Sequence, residues 1–183
     1  MADLLSFDEL KNVCDFNRGQ SIVSKDAVEG GIPVISGGKK PAFYHNQSNR
    51  PANTITIAGS GAYAGFVSFH INPIFAGDCF SIEVKNENKL NKKYLYYFLV
   101  NNQEKIYNKK TGAGIPHVHG KDIANFIIPI PSFERQKEIV DILDRFSSLA
   151  ESMEIGIPAE IKANRQRYEY YRDEIFESLK ECA

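Results

Sequence analysis

The feature that most limits what this chain can fold into lies near its C-terminus. From Pro158 to Leu179 the apolar and aromatic positions Ile161, Tyr168, Tyr171, Ile175 and Leu179 follow spacings of seven, three, four and four. Those spacings place them on one helical face. The positions between them are mostly Arg, Lys, Glu, Gln and Asn. A charged helix with so narrow an apolar seam suits one partner helix better than a broad core. At a rise of 1.5 Å per residue it extends roughly 35 Å, longer than a small domain needs for its own packing.

A second helical stretch precedes it. Ser132 followed by Arg135 and Gln136 reads as a helix start, with Glu134 favourable in the first turn. Ile139, Leu143, Phe146, Leu149 and Met153 give an apolar face. Gly156-Ile-Pro158 interrupts the pattern, and Pro158 falls near the first position of the next helix. We therefore expect helices at about 134–154 and 158–181. Two readings of their apolar faces stay open: packing on the chain's own domain, favoured for Ile139, Leu143 and Phe146, and an intermolecular seam, favoured for Tyr168 to Leu179.

Residues 1–132 carry a different pattern. Ile32–Ile35, Thr54–Ala58, Gly65–Phe69, Ile74–Gly77, Cys79–Val84 and Phe126–Pro131 read as short strands. Thr54-Ile-Thr-Ile-Ala58 alternates as a half-buried strand does. Tyr94, Leu95, Phe98, Leu99 and Ile106 share a helical face over 91–108, with Asn91 as N-cap. The expected class is α+β: a globular domain over 1–132 built on a twisted mixed sheet, then a helical region over 133–183.

Charge divides at the same place. Residues 1–132 hold 14 Lys and Arg against 11 Asp and Glu, and residues 133–183 hold 8 against 12. Nucleic-acid contact therefore belongs to the first part, and the acidic tail suits protein. The three cysteines, Cys14, Cys79 and Cys182, are widely spaced without a CxxC pair, which reads as reduced thiols in a cytoplasmic protein, two of them in the core. The N-terminus lacks the basic and apolar regions of a signal peptide. No apolar run is long enough to span a membrane.

The motifs with a chemical look resolve into plainer readings. Gly59-Ser-Gly-Ala-Tyr-Ala-Gly65 follows a strand, but it misses GxGxxG and a strand follows it, so a hairpin turn is expected rather than a phosphate cradle. Asn72-Pro-Ile-Phe75 resembles the Asn-Pro-Pro-aromatic motif of DNA adenine methyltransferases. It lacks the second Pro, and no βαβ unit stands nearby to hold a methyl donor. His117-Val-His119 has no third ligand at metal spacing, and no GxSxG elbow is present. We expect no cofactor, no metal and no catalysis by this chain alone.

The loops remain. Lys39, Lys40, Asn46, Gln47, Asn49, Arg50, Ser60, Tyr63, Lys109, Lys110, Thr111, His117 and His119 mix cations with amide, hydroxyl and imidazole groups. Cations anchor phosphates, and Arg, Lys, Asn and Gln pair with base edges in the major groove. A solvated loop set is the plainer reading of the same residues. All but Gln47 and Asn49 form the core of the candidate DNA-binding set.

Several stretches resemble the specificity (S) subunits of type I restriction-modification systems. They are Gly31-Ile-Pro-Val-Ile35, Thr54–Ile57 with Gly59–Gly65, Thr111-Gly-Ala-Gly-Ile-Pro116, Ile128-Pro-Ile-Pro-Ser-Phe-Glu-Arg-Gln-Lys-Glu-Ile139 and Gln166-Arg-Tyr-Glu-Tyr-Tyr-Arg-Asp173. Family members usually carry two target recognition domains and two conserved helical regions, and this chain has one of each. The resemblance implies a target recognition domain at 1–132 and a helical spacer at 133–183. It also implies two helices lying antiparallel in a homodimer through Ile161, Tyr168, Tyr171, Ile175 and Leu179. Such a pair would read an interrupted palindrome in double-stranded DNA and dock methyltransferase (M) and restriction (R) subunits. The alternative is a protein that reads no DNA and pairs with a full S subunit or an M subunit to modulate specificity.

Overall fold

A computed structural model describes residues 5–148 together with Glu160 and Gln166. The chain divides into two compact units, residues 1–140 and 141–183. The first begins with β1 (Ser6–Glu9), α1 (Leu10–Val13) and β2 (Cys14–Arg18). After a single 3₁₀ turn at Ser24–Asp26 come β3 (Ile32–Ile35), β4 (Phe43–His45), β5 (Thr54–Ala58), β6 (Val67–His70), β7 (Phe75–Ala76) and β8 (Cys79–Val84). Then follow α2 (Lys92–Asn101), α3 (Gln103–Tyr107), α4 (Gly120–Ile123) and β9 (Ile127–Ile130). Residues 133–140 are helical and belong to this unit; of the second unit, residues 141–148 are helical.

The α+β class is as the sequence indicates, with the strands distributed over three sheets. Four antiparallel strands run in the order β2-β8-β5-β6. A three-stranded sheet, β4-β3-β7, is the mixed one: β3 pairs antiparallel with β4 and parallel with β7. β1 and β9 form an antiparallel pair in which Phe7 faces Pro129. Proline is tolerated there because neither strand has a second neighbour to receive its missing N–H.

One core joins the four-stranded sheet, the β1–β9 pair and the helices, and Ile35, Ile74, Ala76 and Cys79 form a second, smaller cluster. Ile55 and Ile57 of β5, Ile82 of β8, Leu95 and Leu99 of α2, and Leu10, Ile106, Ile123 and Ile128 are all excluded from solvent. Each such side chain contributes about 1.5–3 kcal/mol of apolar transfer. Asn91 caps α2 as expected, its Oδ1 accepting from the N–H groups of Lys93 (2.8 Å) and Tyr94 (3.0 Å). Cys14 and Cys79 are free and buried, and burial pushes both thiols up to about 12. Cys182 lies outside the described residues.

Two local expectations change. β5 is buried at all five positions rather than on one face, because it lies between β8 and β6 and its threonine side is also covered. Thr54 Oγ1 donates to the Pro51 carbonyl (2.8 Å), and Thr56 Oγ1 lies 2.8 Å from His70 Nε2. Burial holds the His70 imidazole below its usual value. The helix expected over 91–108 is two helices. Asn102 has φ −101° and ψ 16°, and its Nδ2 donates to the Phe98 carbonyl (2.8 Å), closing α2. Gln103 then turns toward β6: Oε1 accepts from Val67 N (3.0 Å) and Nε2 donates to the Gly65 carbonyl (2.7 Å).

The helical residues 133–140 are fastened to the domain by the hydrogen bonds of Gln136 and by apolar packing. Gln136 is wholly buried. Its Oε1 accepts from Asn91 N (2.8 Å), and its Nε2 donates to the carbonyls of Lys89 and Pro131 (both 2.9 Å). Ile139 packs on the core beside buried Val140. In the second unit Ile142 and Phe146 are exposed. Within the expected helix at 158–181, Glu160 and Gln166 are helical and exposed; its seam residues, and Leu149 and Met153, lie outside the described residues.

Candidate nucleic-acid interface

Three loops meet on one side of the domain: residues 36–42 after β3, 59–66 after β5, and 108–119 after α3. Their main chains hold one another. Ser60 bridges to His117, and His117 bridges to Thr111. Gly61 N donates to the Pro116 carbonyl (3.0 Å), and Val118 N donates to the Gly59 carbonyl (3.0 Å). The first loop abuts the second so closely that a Cβ on Gly37 would collide with the Ser60 carbonyl oxygen. Glycine is required there by that approach. Gly65, at φ +85°, lets the second loop turn back into β6 with Ile106 and Val118 against it.

Aromatic rings position the cations. Lys39 Nζ lies 5.4 Å from the Tyr63 ring centre and 5.3 Å from that of Phe66. Lys110 Nζ lies 4.3 Å from the Tyr107 ring and donates to the Ala62 carbonyl (3.4 Å). Such contacts orient an ammonium while leaving its charge available to a second partner. The His117 and His119 rings stack, 6.1 Å apart with 5° between their planes. Among the described residues no group of three or more His, Cys, Asp or Glu is placed to hold a metal ion.

The structure thus brings together Lys39, Ser60, Tyr63, Lys110, Thr111, His117 and His119. Lys40 and Lys109 are exposed beside two of them. Asn46 is exposed beyond β4. Gln47 N pairs with His45 Nδ1, and Asn49 bonds the main chain of Ala76 through both amide atoms. Arg50 is turned inward. Its Nε donates to Ser81 Oγ (2.6 Å), Nη1 to the Asn49 carbonyl (2.7 Å), and Nη2 to the carbonyls of Arg18 (2.9 Å) and Asn17 (3.4 Å). A guanidinium so occupied braces the fold.

Beside the loops a cleft of about 620 Å³ opens between the end of β2, the turn into β8 and the start of α4. Phe16, Arg18, Asp78 and Lys121 line it along with Ser60, His117 and His119. Arg18, Asp78 and Lys121 are exposed, and sequence reasoning missed all three. The cations stand singly at the ends of unrelated elements, and an aspartate is not sought in a search for phosphate contacts.

An α+β domain that gathers cations, hydroxyls and imidazoles on three interlocked loops has the surface chemistry of a recognition domain. Comparison with known proteins makes the class specific. Residues 6–163 match the type I restriction modification DNA specificity domain, and the chain belongs to that family. It is 32% identical over 175 residues to a putative type I specificity subunit, S.MpnORF285P, of Mycoplasma pneumoniae, covering 92% of this chain and 56% of that one. It is 38% identical over 86 residues to the EcoR124I/EcoR124II specificity subunit of Escherichia coli, covering 46% of this chain and 21% of that one.

The fold is similar to that of the type I restriction-modification S subunit from M. genitalium. The TM-score is 0.72 at 22% identity, over 84% of this chain and 43% of that one. The HsdS subunit from Thermoanaerobacter tengcongensis gives 0.61 at 22% identity, over 84% and 40%. The chain spans about half the length of several of these relatives. No helix among the described residues is long and apolar enough to cross a membrane.

Proposed function

We propose that the chain is the DNA-reading component of a type I restriction-modification complex, non-catalytic by itself, with residues 1–132 as reader and 133–183 as spacer. Membership of the DNA specificity family carries this reading. The interlocked loops supply its chemistry: Lys39, Lys40, Lys109 and Lys110 meet phosphates, while Thr111, His117 and His119 face base edges. Two copies associate through the seam at Ile161, Tyr168, Tyr171, Ile175 and Leu179. Identical readers related by a twofold axis then meet two half-sites related by a dyad. The helical region docks the M subunits, and R subunits join through the assembled complex.

Salt-titrated binding to duplex DNA tests the reader. Lys39→Ala and Lys110→Ala should each lower affinity and reduce the log–log salt slope by about one for each phosphate no longer neutralised. An unchanged slope in both variants would remove these loops from the interface. The acidic balance of residues 133–183 favours a second reading, a partner of S or M subunits that reads no DNA. Capture of such subunits by a chain that shows no preference among duplexes would support it.

A further inference from the structure

At the joint of the loops stands a carboxylate that phosphate binding does not explain. Asp78 occupies the turn between β7 and β8, exposed, in the cleft with Arg18, His119 and Lys121. Its main chain links two of the loops: the carbonyl accepts from Gly59 N (3.1 Å), and the N–H donates to Ser36 Oγ (3.4 Å). The Ser60 hydroxyl donates to Oδ2. Oδ1 accepts no hydrogen bond from the described residues, and neither Arg18 nor Lys121 pairs with the carboxylate. It is an oriented acceptor with one oxygen committed and one open.

A bare carboxylate repels phosphates, so on a DNA-facing surface it lowers affinity unless it meets a donor. In the major groove the base-edge donors are the exocyclic amines of cytosine and adenine, while guanine and thymine present carbonyl oxygens at the corresponding positions. A carboxylate accepts from the first pair and is repelled by the second. Resting on the DNA-reading function above, we propose that Asp78 is a specificity-determining residue. Its Oδ1 accepts a hydrogen bond from the exocyclic amine of one cytosine or adenine in the half-site. Ser60 is the positioning residue, its hydroxyl holding Oδ2 and so aiming Oδ1. Arg18 and Lys121 offset the negative charge as the phosphates approach.

The test uses the full chain and the duplex it enriches from a randomised library. Each cytosine in that duplex is replaced in turn by 2-pyrimidinone, and each adenine by purine, analogues that lack only the amine. The wild-type chain should lose affinity about tenfold at one position of each half-site, and the analogue that reveals it tells cytosine from adenine. Asp78→Ala should bind amine and analogue equally at that position while keeping its discrimination elsewhere. Ser60→Ala should keep the preference with a smaller ratio. Asp78→Asn, which retains the size and an acceptor for Ser60, replaces Asp78→Ala should the latter melt early. Equal amine dependence in wild type and Asp78 variants, or none at any position, overturns the inference and leaves the DNA-reading function standing. A wild-type chain that enriches no sequence defeats both.

Discussion

Replacing Gln136 with Leu should lower the stability of the first unit by about 2–4 kcal/mol. The side chain is completely buried and makes three hydrogen bonds, all to main-chain groups: Asn91 N, Lys89 O and Pro131 O. Leu fills a similar volume, so packing changes little. What it cannot do is pair the amide and two carbonyls, and each orphaned buried group costs about 1–3 kcal/mol, partly recovered where water reaches it. The loss also spreads, because the Asn91 whose N–H Gln136 holds is the N-cap of α2. A thermal melt should show a midpoint about 5–15 °C lower. A shift under about 1 kcal/mol would mean that the amide is better solvated than its burial indicates.

Arg50→Ala should cost about 2–3 kcal/mol of stability, and its effect on DNA binding distinguishes a brace from a phosphate contact. The guanidinium joins Ser81 in β8 to the main chain of Asn17 and Arg18 at the end of β2 and to Asn49. Ser81 is itself fully buried. Removing the fork takes its donor from the Asn49 and Arg18 carbonyls, while the Asn17 carbonyl keeps the Ser81 hydroxyl (3.4 Å). Lys recovers little, since one ammonium on a flexible stem does not reproduce a planar fork. Below its melting temperature the Arg50→Ala chain should keep the wild-type salt slope. A slope lower by about one with unchanged stability would instead return Arg50 to the DNA interface.

These two residues show where sequence reasoning reaches its limit. Asn91 is legible because an N-cap acts within three residues of itself. The strands at 32–35, 54–58 and 79–84 are legible because apolar runs between turn residues identify themselves. Gln136 reads from periodicity as one more polar position on a charged helix, and two of its three partners stand 45 and 47 residues away. Arg50, alone among amides in a polar segment, has the look of a DNA contact until the carbonyls around it are seen. The break at Asn102 depends on a side chain bonding back to Phe98 in preference to extending the helix.

The candidate interface divides in the same way. Lys39, Lys110 and the two histidines stand out by residue type, and the structure brings them together through Ser60, Tyr63 and Thr111. Arg18, Asp78 and Lys121 come from the ends of β2, β7 and α4, and only folding makes them neighbours. The helical seam at 161–179 is the strongest pattern in the sequence and lies outside the described residues. The proposal that it is a spacer rests on the pattern and on the self-complementarity that a twofold pair demands.

Selection from randomised duplexes tests whether two copies of this domain read DNA at a separation fixed by their helices. The full chain is used, and the number of chains bound per selected duplex is measured by sedimentation. The expected outcome is an inverted repeat with a spacer of constant length, bound by two chains. Enrichment of no sequence, or of a single unrepeated site bound by one chain, would contradict it.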